Sequence, residues 1–148
     1  MREIKFRLWS SKYSAMDFPI SIGIDDSGHI DHVTGYGDEY NDGDFELMQF
    51  TGLRDKNGRE IYEGDLFEHK FGYSVLDDTP HSEMGVEYGV VVFEDGRFGV
   101  RTPGWGVRSL RDLLSRKGHL DDMPDSDLFK MIIAGNIFEN PELLEASK

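Results

Sequence analysis

The 148-residue sequence predicts a mainly β fold with minor helical content. Several short stretches alternate apolar and polar residues, which is the period of a strand with one buried face. Clusters of Gly, Asn and Asp separate these stretches and are typical of turns. Only one internal segment has the spacing of an amphipathic helix. At this length we expect one domain over residues 1–148, with a core that needs no disulfide staples.

The first third of the chain is predicted to contain a strand, a hairpin and a loop. Ile4, Phe6 and Leu8 alternate with Lys5, Arg7 and Trp9, as expected for a first strand with one buried face. Residues 20–24 and 29–33 flank the turn sequence Asp-Asp-Ser-Gly and predict a hairpin. Residues 35–44 are dense in Gly, Asn and Asp and lack an apolar period, so they predict a loop.

The middle of the chain is predicted to consist of strands joined by turns. Residues 45–53 read as a strand, residues 55–58 as a turn in which Asn-Gly tolerates positive φ, and residues 60–62 as the start of the return. The excursion over residues 70–87 contains a proline and a glycine and is predicted to be a long loop.

A tight Asp-Gly turn at residues 95–96 joins two further predicted strands, at 88–93 and 97–100. The pair Gly-Asp at residues 64–65 is predicted to begin another strand, which precedes these two in the sequence. This order of elements is typical of a strongly bent sheet or a small SH3-like barrel, an analogy of fold alone.

The C-terminal part is predicted to supply the minor helical content. Val107, Leu110, Leu113 and Leu114 recur at helical spacing and predict one short helix. Residues 129–138 then read as a buried strand, and residues 142–145 as a short terminal helix after Asn-Pro.

The charge is strongly acidic and unevenly distributed. The chain has 29 Asp and Glu against 16 Lys and Arg, a formal net charge of −13, so phosphate backbones and anionic membranes are repelled on average. The acidity is concentrated between Asp17 and Glu46, whereas the segment from Arg97 to Lys117 is basic. We therefore expect the molecule to be electrically polar, with separate acidic and basic regions.

The absence of cysteine excludes disulfides, thiolate nucleophiles and cysteine-ligated metal sites. No long apolar run is present that would act as a signal peptide or membrane span. We therefore expect a soluble protein that stays in a reducing compartment.

The segment from Leu47 to Asp65, which reads LMQFTGLRDKNGREIYEGD, strongly resembles the YopX family of phage and prophage proteins. Residues 2–9, 89–98 and 135–144 resemble other parts of that family in the same order, and residues 11–44 and 70–87 are the variable segments. The resemblance implies a mostly β fold, a phage or prophage gene and action in the cytosol of the bacterial host. It carries over no catalytic residue, and the glycines of the motif are interpreted as turn positions.

The basic segment supplies the candidate binding residues, because guanidinium groups can grip a phosphate backbone and an aromatic ring lies nearby. The candidates are Arg97, Arg101, Trp105, Arg108 and Arg111. The alternative is a solvated helix face that pairs with the protein's own acidic loop, and the overall negative field favours it.

The sequence gives little support to any candidate metal or catalytic site. His29 and His32 are closely spaced, but residues three apart on a strand point to opposite faces, which disfavours a shared metal. Residues 38–49 fail as a calcium loop because Tyr40 and Gln49 occupy ligand positions. No phosphate loop, nucleophile elbow or zinc-protease motif is present, so we expect no cofactor and no metal.

These observations favour a non-enzymatic accessory protein that binds an unknown host or phage protein. The alternative is a small-barrel protein that binds nucleic acid through residues 97–117. A third hypothesis, an enzyme, would use His29, His32, His69 or His81 as proton carriers. Self-association is also open, since a small β protein can bury leftover strand edges in a homo-oligomer.

Overall fold

The structure, a computed structural model, describes residues 2–104, 106–115 and 132–145. It confirms the predicted fold class: a mainly β protein with a strongly curled half-barrel sheet and two short helices. The chain divides into two compact units, Met1–Gly52 and Leu53–Lys148, and each has its own buried apolar cluster. The single domain expected over residues 1–148 stays a prediction.

The first unit is built from antiparallel strands. They are β1 (Phe6–Ser10), β2 (Ala15–Asp17), β3 (Pro19–Ile24), β4 (Ile30–Gly35), β5 (Glu39–Asn41) and β6 (Phe45–Arg54), which runs into the second unit. β1 pairs with β2 and β6, and β4 pairs with β3 and β5. The predicted first strand, hairpin and central strand are therefore confirmed.

Two details of this unit differ from the predictions. Ile4 precedes β1 and is exposed, whereas Arg7 is buried, so the expected alternation of β1 is wrong. The loop predicted over residues 35–44 is wrong at β5, where Tyr40 pairs with Val33 and is only 2% exposed. Tyr40, Leu8 and Val33 form the buried cluster, so burial of this ring against distant residues outweighs the turn-rich composition around it.

The second unit contains the remaining strands and both helices. They are β7 (Glu60–Tyr62), β8 (Asp65–Val75), β9 (His81–Glu94), β10 (Arg97–Thr102), β11 (Gly106–Ser109), α1 (Leu110–Ser115), β12 (Ile132–Asn136) and α2 (Glu142–Glu145). Five strands form one antiparallel sheet in the order β11-β10-β9-β8-β12. Its core includes Phe67, Val91, Val100, Leu110 and Ile133. The Asp-Gly turn before β10 and the short terminal helix are confirmed.

The loop predicted over residues 70–87 is wrong, because β8 and β9 pair without interruption as far as Val75 opposite His81. The helix predicted from Val107 begins later, at Leu110. Val107 lies in β11 instead, where it pairs with Arg101 of β10. The strand predicted over residues 129–138 is confirmed as β12, and residues 129–131 lie outside the described residues.

A buried carboxylate organises the turn between β6 and β7. Asp55 is 7% exposed, and its Oδ1 accepts hydrogen bonds from the backbone N–H groups of Asn57 and Arg59, each at 2.9 Å. Its Oδ2 accepts a hydrogen bond of 3.1 Å from the backbone N–H of Ile133. One side chain therefore shapes the turn and also ties it to β12. Gly58 has φ of 80°, as the turn prediction requires.

A second buried carboxylate stabilises the turn between β7 and β8. Asp65 accepts a 2.8 Å hydrogen bond from the backbone N–H of Tyr62, and Gly64 between them has φ of 80°. The backbone N–H of Gly64 donates to the carbonyl of Val91 at 2.8 Å, and its carbonyl accepts from Ile137 at 2.9 Å. These residues of the motif at 47–65 hold the scaffold together, as the turn interpretation expected.

Candidate functional site

The predicted arginines lie on different faces of the second unit. Arg97 and Arg101 are four residues apart on β10, so they project from the same face of that strand. Arg108 pairs with Val100, the neighbour of Arg101, and therefore projects from the opposite face. Arg111 is exposed on α1. The structure thus places Arg97 and Arg101 on one face of β10 and Arg108 on the opposite face of the sheet.

Acidic and hydroxyl groups of the same unit contact two of these arginines. The guanidinium of Arg101 donates a hydrogen bond of 2.5 Å to Glu94. The guanidinium of Arg108 donates to the hydroxyl of Thr102 at 3.2 Å and lies 3.8 Å from the carboxylate of Glu87. Trp105, Arg116 and Lys117 lie outside the described residues. A binding role for this segment stays a prediction.

The histidines form separate contacts with nearby carboxylates. His32 lies 2.6 Å from Asp31, and the exposed His29 lies 3.8 Å from Asp25. Within residues 2–104, 106–115 and 132–145, no group of three or more His, Asp or Glu side chains is arranged to hold a metal ion. In the same part of the chain, no helix has the length and hydropathy of a membrane span.

Sequence reasoning missed a long hairpin in the second unit whose outer part is largely exposed. We define the arm as residues 69–87, the outer part of the β8–β9 hairpin. β12 pairs with β8 only up to Glu68, and β10 pairs with β9 only from Val90 onwards. Among the described residues, the two strands of the arm therefore pair only with each other. On both outer edges of the arm, the backbone N–H and C=O groups form no ladder with any other described strand.

Apolar side chains of the arm remain in water. Leu76 at the tip is 87% exposed, and Met84 and Val86 on β9 are 50% and 42% exposed. Met84 and Val86 are two residues apart, so they share one face of the hairpin. Tyr73 projects from the opposite face and is also partly exposed. Leu76, Met84 and Val86 are therefore apolar side chains that remain exposed in the part of the chain that the structure describes.

The opposite face of the arm carries polar side chains that contact each other across the strands. The hydroxyl of Tyr73 donates a 2.7 Å hydrogen bond to Glu83, whose other oxygen lies 2.9 Å from Nε2 of His81. The hydrogen bonds from His81 and then Tyr73 hold the pKa of Glu83 below its ordinary value. The carbonyl of Thr79 and then Glu83 raise the pKa of His81. These contacts join the two strands of the arm, which pair with no other described strand.

The arm is acidic as well as apolar. Residues 69–87 contain four acidic residues and one lysine, Lys70. Two of the acidic residues, Asp77 and Asp78, are exposed beside Leu76 at the tip. A complementary surface would therefore combine apolar groups with positive charge.

Comparisons with known proteins identify the chain. The family model described as YopX protein matches residues 5–145. A crystal structure of protein EF1440 from Enterococcus faecalis is similar, with a TM-score of 0.63 and 25% sequence identity, over 97% of this chain and 99% of that one. The X-ray structure of YopX from Bacillus subtilis has the same fold, with a TM-score of 0.54 and 18% identity over 100% of both chains.

No curated protein matches the sequence. The family model nevertheless covers nearly the whole chain, including the motif at residues 47–65, the arm and the terminal block from residue 135. The resemblance inferred from the sequence is therefore confirmed. The chain belongs to the YopX family.

Proposed function

We propose that this chain is a phage or prophage accessory protein of the bacterial cytosol that acts by binding another protein and is not an enzyme. The arm is its contact surface. The observation that carries the proposal is the exposed apolar surface of the arm, formed by Leu76, Met84 and Val86.

Two properties of the arm support protein binding. A two-stranded ribbon is marginal by itself in water, so docking against a partner would stabilise it. The arm also offers both backbone edges and apolar side chains, and an extended segment of a partner can add to such an edge as a further strand. Side chains such as Met84 then supply the apolar contact area, because methionine adapts to irregular surfaces.

The charge of the arm restricts the partner. Four acidic residues against one lysine, in a chain of net charge −13, disfavour nucleic acid and anionic membranes. A partner protein with a basic, partly apolar surface is attracted by the same field, and its association rate should fall as salt is added.

The test compares capture by the full chain with capture by two variants. The arm variant carries Leu76→Ser, Met84→Ser and Val86→Thr. The control variant carries Ile20→Ser and Ile24→Ser, which remove exposed apolar side chains from β3 in the first unit. Circular dichroism verifies that both variants fold, and light scattering measures the molecular mass of each protein alone.

A host or phage protein that is retained by the natural chain and the control variant but lost by the arm variant would support the proposal. A dimer that dissociates only in the arm variant would identify the partner as a second copy of this chain. Identical captured proteins and identical masses for all three proteins would refute the role of the arm.

A further inference from the structure

The first unit contains a cavity of about 350 Å³ that the proposed protein-binding role does not use. The β1–β2 turn, β2 and the segment before and within β5 line this cavity, which is open to solvent. Its lining residues are Tyr13, Ala15, Met16, Asp17, Gly37 and Tyr40. All belong to the first unit, and the cavity therefore does not depend on any other part of the chain.

The wall of the cavity is partly aromatic. The rings of Tyr13 and Tyr40 lie nearly perpendicular, at 79°, with centroids 6.5 Å apart. The ammonium of Lys12 lies 5.0 Å from the centroid of the Tyr13 ring and donates a 3.2 Å hydrogen bond to Asp38. One ring of the cavity therefore already attracts a cation of the chain itself, which is the interaction that aromatic cages use for ammonium ligands.

The carboxylate of Asp17 is the second element of the wall. Its Oδ1 accepts hydrogen bonds from the backbone N–H groups of Phe18 at 2.7 Å and Tyr36 at 3.1 Å. Its Oδ2 accepts from the backbone N–H of Gly37 at 3.0 Å and the hydroxyl of Tyr40 at 2.8 Å. Four neutral donors thus fill the roughly four lone-pair positions that a carboxylate offers.

The charge of Asp17 has no counter-ion in the part of the chain that the structure describes. Burial raises its pKa, but the hydrogen bonds from Gly37, Tyr40, Phe18 and Tyr36 outweigh burial, and the pKa lies below its ordinary value. Burial and then the bond to Asp17 raise the pKa of Tyr40 to about 12, so its phenol keeps the proton that it donates. The cavity wall is negative at neutral pH.

This combination selects among cations. A primary ammonium or a guanidinium held against Asp17 would lose hydrogen bonds to water at that contact, and Asp17 has no acceptor position left to replace them. A quaternary ammonium has no N–H groups and needs only negative charge and aromatic faces. Met16 adds a polarizable contact for its methyl groups.

We propose that this cavity binds a trimethylammonium group, held by the half-exposed ring of Tyr13 and by the charge of Asp17. The group can belong to a free small molecule or to a trimethylated lysine of another protein. The proposal is independent of the arm.

Calorimetric titration of the full chain with four probes tests the chemistry and its source. Choline represents the free cation, and 3,3-dimethylbutanol is its uncharged carbon analogue. A short peptide containing trimethyl-lysine represents the protein source, and the same peptide with unmodified lysine is its control. We expect choline to bind at least about tenfold more tightly than 3,3-dimethylbutanol, and the trimethylated peptide more tightly than its control. The tighter of choline and trimethylated peptide identifies the source.

Substitutions of the half-exposed Tyr13 test the site itself. Tyr13→Phe keeps the aromatic face and should retain binding within about threefold, whereas Tyr13→Ala should weaken it at least about tenfold. Absence of binding by both methylated probes at millimolar concentration would overturn the proposal. Equal binding of choline and its neutral analogue, or unchanged binding by Tyr13→Ala, would also overturn it.

Discussion

Replacement of Asp55 by alanine should destabilise the second unit strongly. The substitution removes the acceptor of three backbone N–H groups, those of Asn57, Arg59 and Ile133. Ile133 is buried in the core, and water cannot easily replace its lost partner. The turn after β6 loses its shape at the same time as β12 loses its connection to that turn.

The magnitude follows from these three contacts. A buried N–H left without a partner costs about 1–3 kcal/mol, and each of the two turn hydrogen bonds contributes about 0.5–1.5 kcal/mol. The free energy of unfolding should therefore fall by roughly 2–6 kcal/mol, a large fraction of the stability of a typical domain. Asp55→Asn should cost less, because its amide oxygen can still accept hydrogen bonds from one side.

Urea unfolding followed by circular dichroism measures the loss. Asp26→Ala is the matched control, since this exposed carboxylate lies in another turn and should change stability by no more than about 0.5 kcal/mol. Amide hydrogen exchange provides a local measurement, and the Ile133 amide should exchange faster in Asp55→Ala. Equal stability of the Asp55 and Asp26 variants, or unchanged exchange at Ile133, would refute the assigned role of Asp55.

Gly64→Ala forces a side chain into the left-handed region at φ of 80° and should cost about 1–2 kcal/mol in urea unfolding, whereas Gly72→Ala, at an unstrained position, should be nearly neutral. The hydroxyl of Tyr13, then the N–H of Glu39 and the ammonium of Lys12, hold the pKa of Asp38 at about 2. The stabilisation by Asp38 is therefore present at pH values above its ordinary pKa and is lost as the pH falls through about 2. In the variant Tyr13→Phe, NMR titration of the Asp38 carboxyl should show a higher pKa. An unchanged pKa would contradict the role assigned to the Tyr13 hydroxyl. If the chain binds nucleic acid, alanine at both arginines of β10 should weaken binding and reduce its salt dependence, measured by fluorescence anisotropy; absence of binding at low salt would exclude that alternative.

The strands and tight turns with local signals were predictable from the sequence. The turn between β9 and β10 is an example, since Asp95 and Gly96 both adopt positive φ, at 52° and 77°. Asp-Gly is a pair that tolerates this conformation, and apolar residues flank it on both sides. The short terminal helix was also predictable from a local signal, because Asn140 and Pro141 are residues that favour the start of a helix.

The arm was not predictable because its strands lack the usual signal. Both faces of the hairpin beyond residue 70 are largely exposed, so no contrast between a buried and a solvated face appears in the sequence. Pro80 and Gly85 further suggested a loop. Cross-strand pairs such as Tyr73 with Glu83 stabilise the arm, and such pairs can be assigned only after the register is known.

β5 and the cavity beside it depend on contacts between distant residues. Asp17 receives hydrogen bonds from Tyr36, Gly37 and Tyr40, which lie 19 to 23 positions further along the chain. In the sequence, these residues belong to a turn-rich segment and to an apparently ordinary acidic stretch. Only tertiary structure places the carboxylate against the phenol, so no local pattern could indicate the site.

Site-specific photocrosslinking in cells that produce this chain tests the proposed protein-binding role most directly. A photoreactive phenylalanine analogue replaces Tyr73 on the arm in one variant and the exposed Tyr36 of the first unit in a control variant. We predict a discrete crosslinked product from position 73 that is absent from position 36 and identifies either a partner protein or a second copy of the chain. No product from position 73, or the same product from both positions, would contradict the proposal that the arm is the contact surface.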